Sequence, residues 1–171
     1  MQKIDAFSLE QHHGPYQAWP LKTRLYFRGQ DTGSAINGYE IEAQYQCRQG
    51  YLLITAYDCP FEESNEFILL DKAFKVIAQK SLMALYDSYL LHAHWPVSNN
   101  ALRLHYQTKL CYTLSIENGF GLFGKKLRLS LQHFKDIDHD PQVVASISAL
   151  QASLKAIGAE LDKMDKSSSF A

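Results

Sequence analysis

The chain has 171 residues, of which 46% are hydrophobic and 20% are charged, so it is too apolar for a disordered protein and too often interrupted by charge for a membrane-spanning one. Its formal net charge of -1 lacks the basic excess with which nucleic-acid binders neutralise phosphates. We therefore expect one soluble domain over residues 1–171, with a single core and with neither nucleic acid nor membrane as a partner.

Residues 1–20 contain no apolar run long enough for a signal peptide, and their acidic residues argue against a transit peptide. We interpret them as an N-terminal extension of a cytoplasmic protein. The three cysteines, Cys47, Cys59 and Cys111, are an odd number without a CxxC spacing. This pattern is atypical of a disulfide framework or of a thiolate zinc site, so free thiols are expected.

Residues 21–134 alternate between apolar and polar side chains with a period of two, which is typical of strands that bury one face. In residues 39–47 the odd positions hold Tyr, Ile, Ala, Tyr and Cys, while the even positions hold Glu or Gln. Further strands are expected at residues 21–28, 51–57, 67–70, 74–80, 89–95, 101–107, 110–116 and 125–133. The short connections between them predict an antiparallel meander of eight to nine strands.

A flat sheet of that many strands would leave two open edges and would twist strongly. The pattern therefore predicts that residues 21–134 close into a barrel or fold into a barrel-like sandwich, and we favour the barrel. Two connections have an unusual composition, namely the acidic stretch at 58–66 and the glycine-rich stretch at 119–124. Both lack the full pattern of a calcium loop or a phosphate loop, so we interpret them as hairpin connections.

A long helix is predicted over residues 138–166, because Asp140 and Pro141 form a typical helix start. Apolar side chains then recur at alternating spacings of four and three, at Val143, Ile147, Leu150, Leu154, Ile157, Leu161 and Met164. Such a narrow stripe is expected to cover the sheet or one mouth of a barrel. The alternative is a coiled coil that joins copies of the chain through residues 143–164.

Three histidines form a candidate metal site. His92 and His94 alternate with apolar residues on one predicted strand, so both imidazoles should leave the same face about 7 Å apart, and His105 lies on the next strand. Three imidazoles with one open position are a ligand set used by zinc enzymes, so zinc is a possible cofactor here. Arg103 on the same face would repel a dication, which argues against this hypothesis.

Aromatic residues make up 12% of the chain and suggest a different class of site. Rings with a polar tip suit a cavity for an apolar or aromatic small molecule, although aromatic residues also fill ordinary β cores. The candidate ligand-binding residues are Tyr45, Tyr57, Tyr89, Trp95, Tyr106 and Tyr112.

These observations favour a non-enzymatic binding module that holds a small molecule or docks to a protein partner. A small metal-dependent enzyme using His92, His94 and His105 is the first alternative. A structural subunit that assembles through its C-terminal helix is the second.

Overall fold

The computed structural model describes residues 1–57, 64–83, 89–107, 110–121 and 124–168, of which residues 120–121, 124–125 and 162–168 are described by their backbone alone. Within these residues the chain forms twelve strands and one long helix. In chain order they are β1 Gln2–Lys3, β2 Phe7–Leu9, β3 Thr23–Phe27, β4 Gln30–Ile36, β5 Glu40–Cys47, β6 Gly50–Ala56, β7 Asn65–Asp71, β8 Val76–Leu82, β9 Leu91–Ser98, β10 Ala101–Tyr106, β11 Cys111–Gly121, β12 Gly124–His133 and α1 Pro141–Ser168.

The strands form three antiparallel sheets. A central sheet has the order β1-β5-β6-β7-β8, a four-stranded sheet has the order β12-β11-β10-β9, and a three-stranded sheet has the order β2-β3-β4. Apart from β1, which pairs with β5, sequence neighbours pair within the sheets, as expected for a meander, and all nine predicted strands are present. The predicted mainly antiparallel fold with a C-terminal helix is therefore confirmed.

The predicted barrel is not closed. No hydrogen-bonded ladder among the described strands joins the central sheet to the four-stranded sheet, although β8 and β12 run side by side. The two sheets instead pack face to face through their apolar side chains, which buries the core without a shared ladder. A sandwich-like fold, which was the alternative expected from the sequence, fits these sheets.

The central sheet is covered on both faces. On one face Tyr45, Phe67 and Leu69 meet Leu102 and Leu104 of the four-stranded sheet to form the larger core. On the other face a second core joins the central sheet to the three-stranded sheet. Double coverage explains why β6 and β7 are nearly continuous apolar runs rather than half-wet strands.

Two segments within the first 20 residues, which are interpreted from the sequence as an extension, are strands of the sheets. β1 pairs with β5, and β2 pairs with β3. The buried Gln44 side chain fixes this segment, because its Oε1 accepts hydrogen bonds from the backbone N–H groups of Ala6 and Phe7 at 2.8 Å each. Strands of two and three residues are too short for a periodic pattern, so the sequence pattern could not reveal them.

Helix α1 is only partly packed against the body of the protein. The carboxylate of Asp140 accepts hydrogen bonds from the backbone of Gln142 and Val143, at 3.0 and 3.2 Å, and so caps the first turn. Val143 and Leu150 are buried, whereas Leu154 and Leu161 are more than half exposed. In the part of the chain that the structure describes, no helix is long and apolar enough to cross a membrane.

Some sequence-based expectations fall outside the described residues. Most of the acidic connection, at 58–63, and Cys59 within it belong to this group, as do residues 122–123 of the glycine-rich hairpin tip. Of the other two cysteines, Cys111 is buried, Cys47 is partly exposed, and both are free thiols.

Candidate functional site

The structure does not bring the three candidate metal-binding histidines together. His105 faces Ala93 and Tyr106 faces Leu91, so His92 is an extra residue in β9 and forms a β-bulge. Beyond the bulge His94 lies opposite Leu104, on the core face, while His92 packs against the ring of His105 at 5.3 Å. The expectation that His92 and His94 share a face is therefore wrong, because a regular alternation was assumed across the bulge.

His94 is joined to Tyr45 inside the core. The Tyr45 hydroxyl and His94 Nδ1 are 2.6 Å apart, and this contact links β5 to β9 across the two facing sheets. Burial, with a smaller contribution from Lys3, lowers the pKa of His94 to about 4, and burial raises the pKa of Tyr45 to about 12. Both groups are neutral near pH 7, so the pair is a neutral structural hydrogen bond.

His105 lies under helix α1 on the outer face of the four-stranded sheet. It is fully buried, and its Nδ1 lies 2.7 Å from the hydroxyl of Ser146. Cys111 lies directly opposite His105 on β11, and burial raises the pKa of its thiol. Within the described ranges, there is no group of three or more His, Cys, Asp or Glu side chains that could hold a metal ion.

Three of the six candidate ligand-binding residues meet at one end of the larger core. The ring of Tyr106 contacts those of Tyr89 and Tyr112 edge to face, at 5.7 and 5.9 Å. The Tyr106 hydroxyl is buried and has no hydrogen-bond partner among the described residues, and its pKa is raised by burial, then by Tyr112, Glu42 and Tyr89. Tyr106 belongs to the larger core, and Tyr89 and Tyr112 pack against that core.

The other three candidates lie elsewhere. Tyr45 is a core residue bonded to His94, and Trp95 lies opposite Arg103 on the face that β10 turns toward helix α1. Tyr57 packs its ring against Tyr39, 5.5 Å away, on the far side of the central sheet. The six aromatic residues therefore do not line one cavity.

An opening, which we call the aromatic–acidic groove, lies between β2 and the start of β5. It has a volume of about 600 Å³, within the range of small-molecule sites. Its aromatic lining residues are Phe7, Trp19 and Tyr39, together with the imidazoles of His12 and His13.

Tyr39 is the centre of the aromatic cluster at this groove. Trp19, His12 and Tyr16 all lie nearly perpendicular to its ring, with centroids 5.0 to 5.6 Å away. Backbone acceptors orient two of the rings, since the Tyr39 hydroxyl donates to Pro20 O at 3.1 Å and Trp19 Nε1 donates to Gly14 O at 3.2 Å. The segment from His12 to Pro20 is therefore held over the sheet by its aromatic side chains.

Three carboxylates line the same groove, those of Asp5, Glu10 and Glu40. Neither Lys nor Arg is among the described residues that line it. Glu10 forms a long ion pair with Arg24, whose Nε is 4.0 Å from Glu10 Oε2, and both of these side chains are substantially exposed. The groove thus combines aromatic rings with an excess of negative charge.

The groove was not predicted from the sequence, because residues 1–20 were interpreted as an extension. The feature of the sequence that could have indicated the groove is the density of rings in that segment, where His12, His13, Tyr16 and Trp19 occur within eight positions. Comparison with family models, with curated proteins and with solved structures finds no match. The chemistry of the groove is therefore the basis for the functional argument.

Proposed function

We propose that this protein is a non-enzymatic binding module that holds a small organic cation in the aromatic–acidic groove. The observation that supports the proposal is the composition of the groove, with the rings of Trp19 and Tyr39 beside three carboxylates and no lining Lys or Arg. Aromatic faces attract ammonium groups through their negative quadrupole, and this attraction is the basis of sites for quaternary ammonium ligands.

The two kinds of lining group contribute differently to affinity. A cation over an aromatic face is stabilised by roughly 0.5–1 kcal/mol at an exposed site and by about 2 kcal/mol when it is desolvated. Carboxylates at the rim, such as those of Asp5 and Glu40, are exposed and screened by salt. The rings should therefore set the ligand geometry, while the carboxylates attract the charge.

The charge of the ligand is the property to test. Isothermal titration calorimetry with choline and with its neutral counterpart 3,3-dimethylbutan-1-ol compares two ligands of the same shape that differ in charge. We expect choline to bind about tenfold more tightly, a difference of about 1.4 kcal/mol. Equal binding of the two, or no binding of choline, N-trimethyllysine and arginine methyl ester, would contradict the proposal.

Variants test whether choline binds in the aromatic–acidic groove. Tyr39→Leu and Glu40→Gln should each weaken choline binding, whereas Tyr39→Phe keeps the ring and should bind normally. Glu160→Gln removes an exposed carboxylate on helix α1, outside the groove, and is the matched control. Each variant is first checked for an unchanged melting temperature, since Tyr39 also holds the His12 to Pro20 segment.

Assembly through helix α1 is a second candidate function. Leu154, Ile157 and Leu161 continue the stripe that starts with buried Val143, yet they are 54%, 54% and 58% exposed. Apolar side chains exposed at heptad spacing favour pairing with another helix. We propose a second copy of the chain as the partner of this exposed stripe.

A further inference from the structure

A second opening of about 610 Å³ lies between the two facing sheets at the end of the sandwich formed by their hairpin turns. The central sheet contributes β1, the end of β5 and the turn before β6, and the four-stranded sheet contributes the turn between β9 and β10 with parts of β11 and β12. Six side-chain amides line it, those of Gln2, Gln46, Gln49, Asn99, Asn100 and Asn118. We call this opening the amide cleft.

Among the side-chain hydrogen bonds of the described residues, one of the six amides, that of Asn100, takes part in the turn. Asn100 accepts a hydrogen bond from the Ser98 hydroxyl at 2.8 Å and donates to Ile116 O at 3.2 Å. The Oε1 atom of Gln49 is buried and forms no hydrogen bond with the described residues. A buried amide oxygen without a partner is costly, so a ligand donor that reached it after rotation of the Gln49 side chain would be stabilising.

The charge of the amide cleft is opposite to that of the aromatic–acidic groove. Arg48 is the charged side chain among the described residues that line the cleft, and it takes part in none of the ion pairs found within the described structure. Neither Asp nor Glu is among those lining residues. Ile116 and Leu127 provide an apolar floor, and aromatic rings do not occur in the described lining.

From these features we infer that the amide cleft binds a polyhydroxylated ligand that carries a carboxylate, that is, a sugar acid. Each amide offers both a donor and an acceptor, which matches neighbouring hydroxyl groups. The planar guanidinium of Arg48 can bind a carboxylate through two parallel hydrogen bonds. Ile116 and Leu127 would contact the C–H face of the sugar ring.

The test uses glucuronate and its neutral counterpart glucose as probes, added to the isotope-labelled full chain. The side-chain amide signals of Gln49 and Asn99 report binding directly in nitrogen–proton correlation spectra. We expect both probes to shift these signals and glucuronate to bind about tenfold more tightly than glucose, as expected for a charged bidentate contact. Added choline should leave the titration unchanged, which separates this site from the groove.

Variants complete the test. Arg48→Gln should remove the preference for glucuronate over glucose. Gln49→Met should weaken the binding of both probes about fivefold, which is the effect of one lost hydrogen bond. Gln132→Met, which changes an exposed amide on β12 outside the cleft, is the control. The inference is overturned if neither probe shifts the cleft amides, if the shifts map to other surfaces, or if Arg48→Gln keeps the preference.

Discussion

Asp140 and Arg103 join the start of helix α1 to the four-stranded sheet through a single carboxylate. Asp140 Oδ1 caps the helix, while its Oδ2 lies 3.3 Å from Arg103 Nη2. The Arg103 guanidinium also lies over the ring of Phe134, with Cζ 3.3 Å from the centroid. The Arg103 side chain is 10% exposed, so its charge depends on these partners for compensation.

Two substitutions of Asp140 should therefore separate the contribution of its charge to stability from that of the helix cap. Asp140→Asn keeps an oxygen for the cap but loses the charge, and we expect it to lower the free energy of unfolding by about 1–2 kcal/mol. Asp140→Ala loses both contacts and should cost about 2–4 kcal/mol. Urea unfolding monitored by circular dichroism measures both effects.

Asp136→Ala is the control for this pair, because the Asp136 carboxylate is largely exposed and bonds to His139 on the surface. Its effect should be within about 0.5 kcal/mol. If Asp140→Ala proved as mild as Asp136→Ala, the helix would not depend on this contact.

The partly buried His94 predicts loss of stability in acid. An unfolded histidine has a pKa near 6.5 and His94 has one of about 4, so the unfolded chain binds more protons between these values. The contribution of His94 to the free energy of unfolding is therefore constant above pH 6.5. Below that pH, the free energy of unfolding falls as the pH drops toward 4. After allowance for partial exposure, the loss is about 2 kcal/mol.

His94→Phe should flatten this part of the stability curve, measured as the free energy of unfolding from pH 4.5 to 7. His13→Gln removes an exposed imidazole and should leave the curve as it is in the parent protein. The assignment fails if the slope survives in His94→Phe.

Gly50 is predicted to be irreplaceable at the start of β6. Its φ of 150° falls in a region that favours glycine, and an added Cβ would lie 2.2 Å from Leu70 O on the adjacent β7. We expect Gly50→Ala to lower the free energy of unfolding by about 2–3 kcal/mol through backbone strain and displacement of β7.

Gly158→Ala is the matched comparison, because a Cβ at this helical position meets open space. Alanine favours the helix by about 1 kcal/mol, so helix content should rise slightly while the core is untouched. Equal effects of the two substitutions would show that the contact with β7 has no role.

The exposed half of helix α1 predicts self-association. Static light scattering after size-exclusion chromatography should give a mass above 19.5 kDa that increases with protein concentration. The triple variant Leu154→Gln, Ile157→Gln, Leu161→Gln should be monomeric with an unchanged melting temperature, because these side chains lie off the core. A parent protein that stays monomeric at high concentration would contradict assembly by this helix.

The control for assembly is a triple variant of the other helix faces, Gln151→Ala, Lys155→Ala, Glu160→Ala, which changes exposed polar residues and keeps the stripe. It should associate like the parent protein. This comparison separates loss of the apolar stripe from general changes of helix propensity.

Local patterns in the sequence were sufficient to predict most elements of this fold. The period of two identified nine of the strands, and the Asp140–Pro141 start with its apolar stripe identified the helix. These features depend on neighbouring residues, whose spacing follows from strand and helix geometry. β4 was missed because its sequence, QDTGSAI, is polar and contains glycine.

The candidate sites depended on contacts between distant parts of the chain. One extra residue, His92, turned His94 away from His105, and two short strands near the N-terminus brought Trp19 beside Tyr39. Neither arrangement has a local pattern, because a bulge and the pairing of a two-residue strand are stabilised by partners far along the chain. The sequence therefore supplies the alternation of buried and exposed side chains, whereas long-range strand pairing places the side chains that form a site.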